Sequence, residues 1–201
     1  MQSTVESATD TQASTLKVGI IVGTTRPGRK AEDVANWVRE IGSRRTDATF
    51  EVVDIAEHAL PHLDEPEPAR SGNYVQPHTQ AWAKRIAGLD AFVFVTPEYN
   101  GFFPGSLKNA LDFLYAEWTN KAAGIVSYGV GGGNRAAEQL RTLLGNLEVT
   151  AVSAGVSLTF DDDFENFSRF TPSEPQEKNV VALLDELVAQ SAALKQQSKA
   201  E

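Results

Sequence analysis

Apolar residues along this chain fall into two alternating patterns. Leu16–Val22 and Ala91–Val95 are short, nearly continuous apolar runs rich in β-branched or aromatic residues, as expected of strands covered on both faces. Phe50–Ile55, Ala122–Val126 and Val149–Val152 are read as three further strands. Between them the period changes to that of a helix. Ala31, Val34, Ala35, Val38 and Ile41 form one stripe, which Gly42 can close, and a second helix is expected around Thr79–Ala87. Leu107, Ala110, Leu111 and Leu114 form another stripe, followed by Ala136, Leu140, Leu143, Leu144 and Leu147. Val180, Leu183, Leu184, Leu187 and Val188 form the last. Two segments fit neither pattern: the Pro-rich excursion Leu60–Pro77, too long for a simple connector, and the polar stretch Asp161–Glu174.

Strands alternating with helices imply a parallel sheet with helices on both faces. Five strands favour a flavodoxin-like, three-layer α/β sandwich with strand order 2-1-3-4-5. Residues 16–195 are expected to form this single domain, residues 1–15 a disordered tail and residues 196–201 a frayed end. In such a sheet the loops after strands one, three and four meet at the carboxyl edge, where ligands bind. Those are the three loops of this chain with unusual chemistry.

The first loop, Gly23–Arg29, joins a strand to a helix start, where free N–H groups and the helix dipole favour an anion. Thr24, Thr25, Arg26 and Arg29 bring hydroxyls and guanidinium groups to that position, a donor set matched to phosphate. The loop has neither the Gly-Lys-[Ser/Thr] of a nucleotide triphosphate loop nor the glycine spacing of a dinucleotide turn, so a monophosphate fits better than a pyrophosphate. In the second loop Pro97, Glu98, Tyr99, Asn100 and Gly101 combine an aromatic, an amide and a glycine in front of a helix begun at Pro104, a floor suited to a planar ring. The third runs from Ser127 through Tyr128, Gly129, Gly131 and Gly132 to Arg135 and offers backbone donors without bulk, suited to the edge of a ring that gains negative charge on reduction. Phosphate at one end, a stacked ring in the middle and amide donors at the far edge together describe FMN.

Composition narrows the partners. A net charge of −9 disfavours nonspecific binding to nucleic acid or to anionic membranes. No apolar run approaches the roughly 20 residues of a membrane span, and the first 15 residues lack the charged and apolar regions of a signal peptide. With no cysteine, disulfides and thiolate chemistry are excluded, and a cytoplasmic location is the simplest expectation. His58, His62 and His78 lack metal-ligand spacing, so no metal site is expected.

Gly23–Arg29, Pro97–Gly101 through Pro104–Asp112, and Ser127–Gly129 with Gly131 and Gly132 resemble the NADPH-dependent FMN reductase family, which includes flavin, quinone, azo-dye and chromate reductases. The resemblance spans about residues 16–155. It implies FMN held at its phosphate by Thr24, Arg26 and Arg29, at its ring by Pro97–Gly101 and at its other edge by Ser127, Tyr128, Gly129 and Gly131. It also implies NADPH or NADH as donor, ping-pong hydride transfer through N5 to free flavin, quinone or a similar small acceptor, and a homodimer or tetramer in which Tyr74, Phe102 and Phe103 cover a neighbour's flavin. No catalytic side chain is required, and Glu98 is expected to shape the loop rather than to act as an acid. The family pattern departs at Arg29 and Lys30, where many members have a serine and an asparagine. No family motif matches Asp161–Ser173. Three other readings compete: a flavodoxin-type electron carrier, a flavin-binding partner in a biosynthetic pathway (reductase to a flavin-dependent monooxygenase, or a non-redox step), and a fold without cofactor.

Overall fold

A computed structural model describes residues 15–198, so the expected N-terminal tail and the last three residues lie outside the described residues, apart from Thr15. Five parallel strands form the central sheet: β1 (Leu16–Val22), β2 (Ala48–Asp54), β3 (Ala91–Pro97), β4 (Ala122–Gly129) and β5 (Thr150–Thr159). Their order is β2-β1-β3-β4-β5, as expected from the alternation of periods. Helices α1 (Ala31–Gly42) and α6 (Glu174–Gln197) cover one face of the sheet, and α2 (Pro77–Ala87), α3 (Gly105–Asp112) and α4 (Asn134–Asn146) cover the other.

Two cores follow from this sandwich. Val18, Ile20 and Val22 of β1 and Val93 and Val95 of β3 meet Val34, Val38, Leu183 and Leu187 on the α1/α6 side. Phe92, Phe94 and Ile21 point the other way, onto Trp82, Trp118, Leu107 and Leu111. Every residue of β3 is buried, which explains its unbroken apolar run. Glycine is required where backbones come close: a Cβ on Gly23 would stand 2.8 Å from the Val95 carbonyl oxygen and 2.9 Å from a Leu107 methyl. The end of β1 is thereby drawn against β3, next to the two loops that follow them.

Several boundaries differ from expectation for physical reasons. β5 runs to Thr159, far beyond Val152, because Val152, Val156 and Leu158 are buried while Ser153 and Gly155 face outward. It is an edge strand covered on one face, so its pattern is period-2 alternation rather than a continuous run. Ser127, Tyr128 and Gly129 belong to β4, paired with Ser157, Leu158 and Thr159, so the loop proper starts at Val130. Leu114 is buried but follows the end of α3, and α6 stays helical through Gln197, into the end expected to fray.

The polar stretch Asp161–Glu174 is structured. It contains a four-residue helix, α5 (Phe160–Asp163), and a small antiparallel hairpin of β6 (Phe164–Glu165) and β7 (Arg169–Phe170). Asp163, fully buried, organises it: its carboxylate accepts from the Thr159 and Ser173 N–H groups, the Ser173 hydroxyl and the Gln176 amide at 2.8 to 3.2 Å. The excursion 60–76 is held in a similar way. Glu65 accepts from the Val75 and Gln76 N–H groups, and Asn109 of α3 bonds the backbone of Pro61 and Leu63.

Candidate flavin site at the carboxyl edge

The three loops meet where the topology requires. Arg26, Arg29, Pro97, Glu98, Tyr99, Tyr128 and Gly129 line one cavity of about 290 Å³. Asn100, Gly101 and Gly131 line a second, of about 400 Å³, and Glu98 borders both. Thr25 faces a third cavity, with Leu60, His62, Ser106 and Asn109. Thr24, Ser127 and Gly132 lie behind these surfaces: Thr24 is buried and shares a 3.0 Å hydrogen bond with the Tyr99 hydroxyl, tying the first loop to the second. Ser127 and Ser157 both donate to the Gly132 carbonyl, at 2.8 and 3.0 Å, and fix the glycine loop to β4 and β5.

Electrostatics distinguish the two arginines. Arg29 turns toward the end of β2 and pairs with Asp54 at 2.5 Å and with Glu32, so its charge is largely matched within the protein. Arg26 and Lys30 have no carboxylate within ion-pair range among the described residues. The buried Arg29 Nε has no partner, and the N–H groups of Thr24, Thr25 and Gly28 meet no acceptor among the described residues. Thr25 and Gly28 are exposed, so their N–H groups are open to a ligand, whereas a buried donor such as Arg29 Nε is costly unless something accepts from it. Tyr128 stands at the start of α1, its hydroxyl near the N–H groups of Lys30 and Ala31. Burial, with Tyr99 beside it, raises the pKa of this phenol well above its usual value.

The second loop is built on a feature that sequence reading left out. Asn100 and Gly101 have φ of +53° and +84°, and Tyr99 and Phe102 exchange backbone hydrogen bonds of 2.8 and 3.1 Å across them. This is a two-residue hairpin turn, for which Asn-Gly is the favoured pair. It presents Asn100 at the rim of the second cavity. Glu98, the most reactive-looking residue here, is occupied: its carboxylate accepts from the N–H groups of Arg135 and Ala136 at 3.1 and 3.4 Å and pairs with the Arg135 guanidinium at 3.1 Å. It thus caps α4, whose own N-cap, Gly133, has no side chain to do so.

The third loop separates its glycines by role. A Cβ on Gly132 would lie 1.9 Å from the Ser157 hydroxyl oxygen, and one on Gly133 would lie 2.7 Å from the Tyr128 nitrogen, both at φ above +70°. Gly131 has no atom within 4 Å of that position and opens onto the second cavity. A phosphate therefore suits the orphaned donors of the first loop, and a flat ring suits the open cradle at Gly131.

Comparison with known proteins identifies the family. The profile of the family described as NADPH-dependent FMN reductase matches residues 16–163. The chain belongs to that family. It is therefore a flavin-dependent oxidoreductase that uses FMN with NAD(P)H as donor. Among relatives, an NAD(P)H-dependent FMN reductase of Schizosaccharomyces pombe is 44% identical over 151 residues, covering 74% of this chain and 76% of its own. A second enzyme of that description, from Saccharomyces cerevisiae, is 35% identical over 148 residues, covering 68% and 78%. Among solved structures, the flavoenzyme NAD(P)H:(acceptor) oxidoreductase FerB of Paracoccus denitrificans superposes with a TM-score of 0.70 at 21% identity, over 89% of this chain and 98% of its own, which supports the fold.

Within this FMN reductase, several wall residues were not among the sequence candidates. Lys30, Val130, Asn134 and Arg135 lie in or beside the nominated loops. Phe160 and Phe167 come from the segment after β5, where no motif marked them. Of the three aromatics expected to reach a neighbouring subunit, Phe103 is buried in the core and Tyr74 donates to Glu117 at 2.8 Å, whereas Phe102 is exposed. Burial first, then Glu117, raises the Tyr74 pKa to about 12. His58 packs on Trp82 at 4.6 Å and His78 pairs with Asp64, and neither lines these cavities. Among the described residues no helix is long and apolar enough to cross a membrane.

Proposed function

We propose that this protein reduces a small electron acceptor, free flavin or a quinone, at the expense of NAD(P)H by a ping-pong cycle in which donor and acceptor use one open face in turn. The observation that carries the site is the set of orphaned donors in the first loop: Arg29 Nε, the N–H groups of Thr24, Thr25 and Gly28, and the uncompensated charges of Arg26 and Lys30. In a chain of net charge −9, so concentrated an array of donors favours an anion of fixed position. Arg26 and the first-loop N–H groups would hold the FMN phosphate, the Tyr99–Phe102 turn would support the ring, and the glycine loop would give its far edge backbone donors. FMN, when bound, would supply the redox chemistry, two-electron transfer from NAD(P)H to the acceptor. The protein's part is orientation. Glu98 holds the third loop to the second by capping α4, and Thr24 with Tyr99 holds the first.

A cytoplasmic homodimer completes the proposal. Val130, which borders the ring cavity, is 77% exposed and Phe102, next to Gly101 of that cavity, is 55% exposed, and a second subunit would cover them. Size-exclusion chromatography with light scattering tests that part. The cofactor site is tested by comparing FMN with riboflavin. Arg26→Ala removes charge-assisted bonds worth about 1.5–3 kcal/mol each, so FMN affinity should fall about 10- to 100-fold while riboflavin affinity is unchanged. Equal FMN affinity in wild type and variant refutes the phosphate assignment. Anaerobic titration with NADPH should bleach the bound flavin; a flavin that stays oxidised would make the protein an electron carrier instead.

A further inference from the structure

The segment that matched no motif forms one wall of the cofactor cleft. In the cavity beside Arg26 and Lys30, Phe160 and Phe167 are the lining residues that come from outside the three loops. Neither borders the second cavity, at Asn100 and Gly131; both face the cavity that holds Arg26–Lys30 together with Pro97–Tyr99. Phe160 belongs to α5. Phe167 is at the tip of the β6–β7 hairpin, with ring centroids 6.2 Å from Phe160.

The hairpin is braced for this position. Asp163 ties its base to β5 and to the start of α6 by four hydrogen bonds, and the aromatic series Phe160, Phe164, Phe170 and Trp37, at 5.0 to 5.4 Å spacing, anchors it to α1. The tip itself is locally unfavourable. Asn166 and Phe167 have φ of +52° and +55°, a region that suits glycine and not a bulky aromatic, and Phe167 is 64% exposed. Neither the turn nor the core explains an aromatic at this site, so its role is to be sought in the cavity it lines.

We propose that the β6–β7 hairpin sets the length of the flavin nucleotide. Phe167, backed by Phe160, ends the cleft just past the phosphate loop, so that the phosphate monoester FMN fits and the diphosphate FAD is excluded. FAD extends from that phosphate through a second phosphate to adenosine, and a wall in the cavity of the phosphate loop would oppose that extension. Asp161 and Asp162 of α5 add negative charge beside Phe160, whereas Glu165 is paired with Arg169 at 3.2 Å. The proposal rests on the cofactor site proposed above, with the phosphate at Arg26.

The test measures dissociation constants of FMN, FAD and riboflavin by isothermal titration calorimetry. It uses the full-length chain freed of flavin, as wild type, Phe167→Gly, Phe167→Ala and Arg26→Ala. Wild type should prefer FMN to FAD at least tenfold. Phe167→Gly should melt no lower than wild type, because glycine accepts φ of +55°, and should cut that preference at least fivefold through tighter FAD binding. Phe167→Ala should cut it in the same direction. An unchanged preference in both Phe167 variants, or a wild type that binds FAD as tightly as FMN, overturns the proposal. Arg26→Ala separates the two readings. If it weakens FMN but not riboflavin while the Phe167 variants keep the wild-type preference, only the hairpin's role fails. If FMN is unaffected by Arg26→Ala, the cofactor site fails and the hairpin proposal falls with it.

Discussion

Alanine substitutions at Gly131, Gly132 and Gly133 should have effects that differ in kind, although the three residues are adjacent. At Gly132 the backbone sits at φ +73°, which costs a residue with a Cβ about 1–2 kcal/mol. The new methyl would also stand 1.9 Å from the Ser157 hydroxyl oxygen. That hydroxyl must then rotate away and lose its 3.0 Å bond to the Gly132 carbonyl, about another 1 kcal/mol. Gly132→Ala should therefore lose about 2–3 kcal/mol, or roughly 4–12 °C in a domain of this size. Gly133→Ala should lose more, because its methyl meets the Tyr128 backbone nitrogen and oxygen at 2.7 and 2.9 Å, and those atoms belong to a strand that cannot give way. Gly131→Ala meets nothing within 4 Å and has no positive φ, so it should melt at or slightly above wild type, by up to about 1 kcal/mol from the stiffer unfolded chain. The assay is thermal unfolding by circular dichroism on flavin-free protein, followed by FMN titration. Gly131→Val, which puts bulk into the second cavity while sparing the fold, should weaken FMN about tenfold. If Gly131→Ala melts as low as Gly132→Ala, or if Gly132→Ala melts like wild type, the division of this loop into a structural and a ligand-facing part is wrong.

Glu98→Gln should leave NADPH oxidation within about threefold of wild type and cost about 1 kcal/mol of stability, since the carboxylate acts as a helix cap rather than as an acid. A collapse of turnover together with loss of an acidic limb in the pH profile would contradict this. Asp163→Ala strands four donors in a buried setting and should lose about 3–5 kcal/mol by denaturant unfolding; a loss below about 1 kcal/mol would show that the hairpin's base is held by something else. Lys121, on the opposite edge of the sheet, has its ammonium pKa lowered to about 8, chiefly by burial, with Asp90 and Glu117 opposing. Its folded pKa lies below its unfolded one, so the penalty is complete below about pH 8 and relieved as pH rises from there toward 10.5. Lys121→Met should accordingly be more stable than wild type at pH 7, by about 1 kcal/mol after allowing for solvent screening. That advantage should vanish by about pH 10; one that stayed constant with pH would refute the titration.

The architecture could be read from the sequence because each buried strand and each amphipathic helix carries its own period. Strand order then followed from the alternation, the right-handed crossovers and the count of five strands. The departures have separate causes. β5 continues past the apolar run Val149–Val152 because an edge strand alternates, so polar residues and a glycine interrupt its apolar positions. The 161–174 segment looked like a polar loop because its order comes from a single buried carboxylate, Asp163, whose four partners lie 4 to 13 residues away in sequence. No periodicity reports a contact of that kind. The Asn-Gly pair at 100–101 is the local signature of a two-residue hairpin turn as well as part of the expected ring floor.

The candidate site divides along the same line between local and non-local causes. Residue types that make a loop good at binding, threonine, arginine and glycine at a strand-to-helix junction, are visible one position at a time, and the loops that carry them do converge. Which way each side chain turns depends on partners far along the chain. Arg29 looked equivalent to Arg26 until Asp54, 25 residues away, was seen to take its charge. Glu98, expected to shape its loop, does so through Arg135 and Ala136, 37 and 38 residues away. Of the two arginines, then, the one left without a carboxylate is the stronger candidate for the phosphate. A long-range ion pair removes Arg29 from competition for the anion's charge and leaves its unpartnered Nε as a neutralised donor in the wall. The Arg26→Ala variant should for that reason lose more FMN affinity than Arg29→Ala loses through the ligand, while Arg29→Ala should lose more of the fold, because it leaves Asp54 in a half-buried position without its cation.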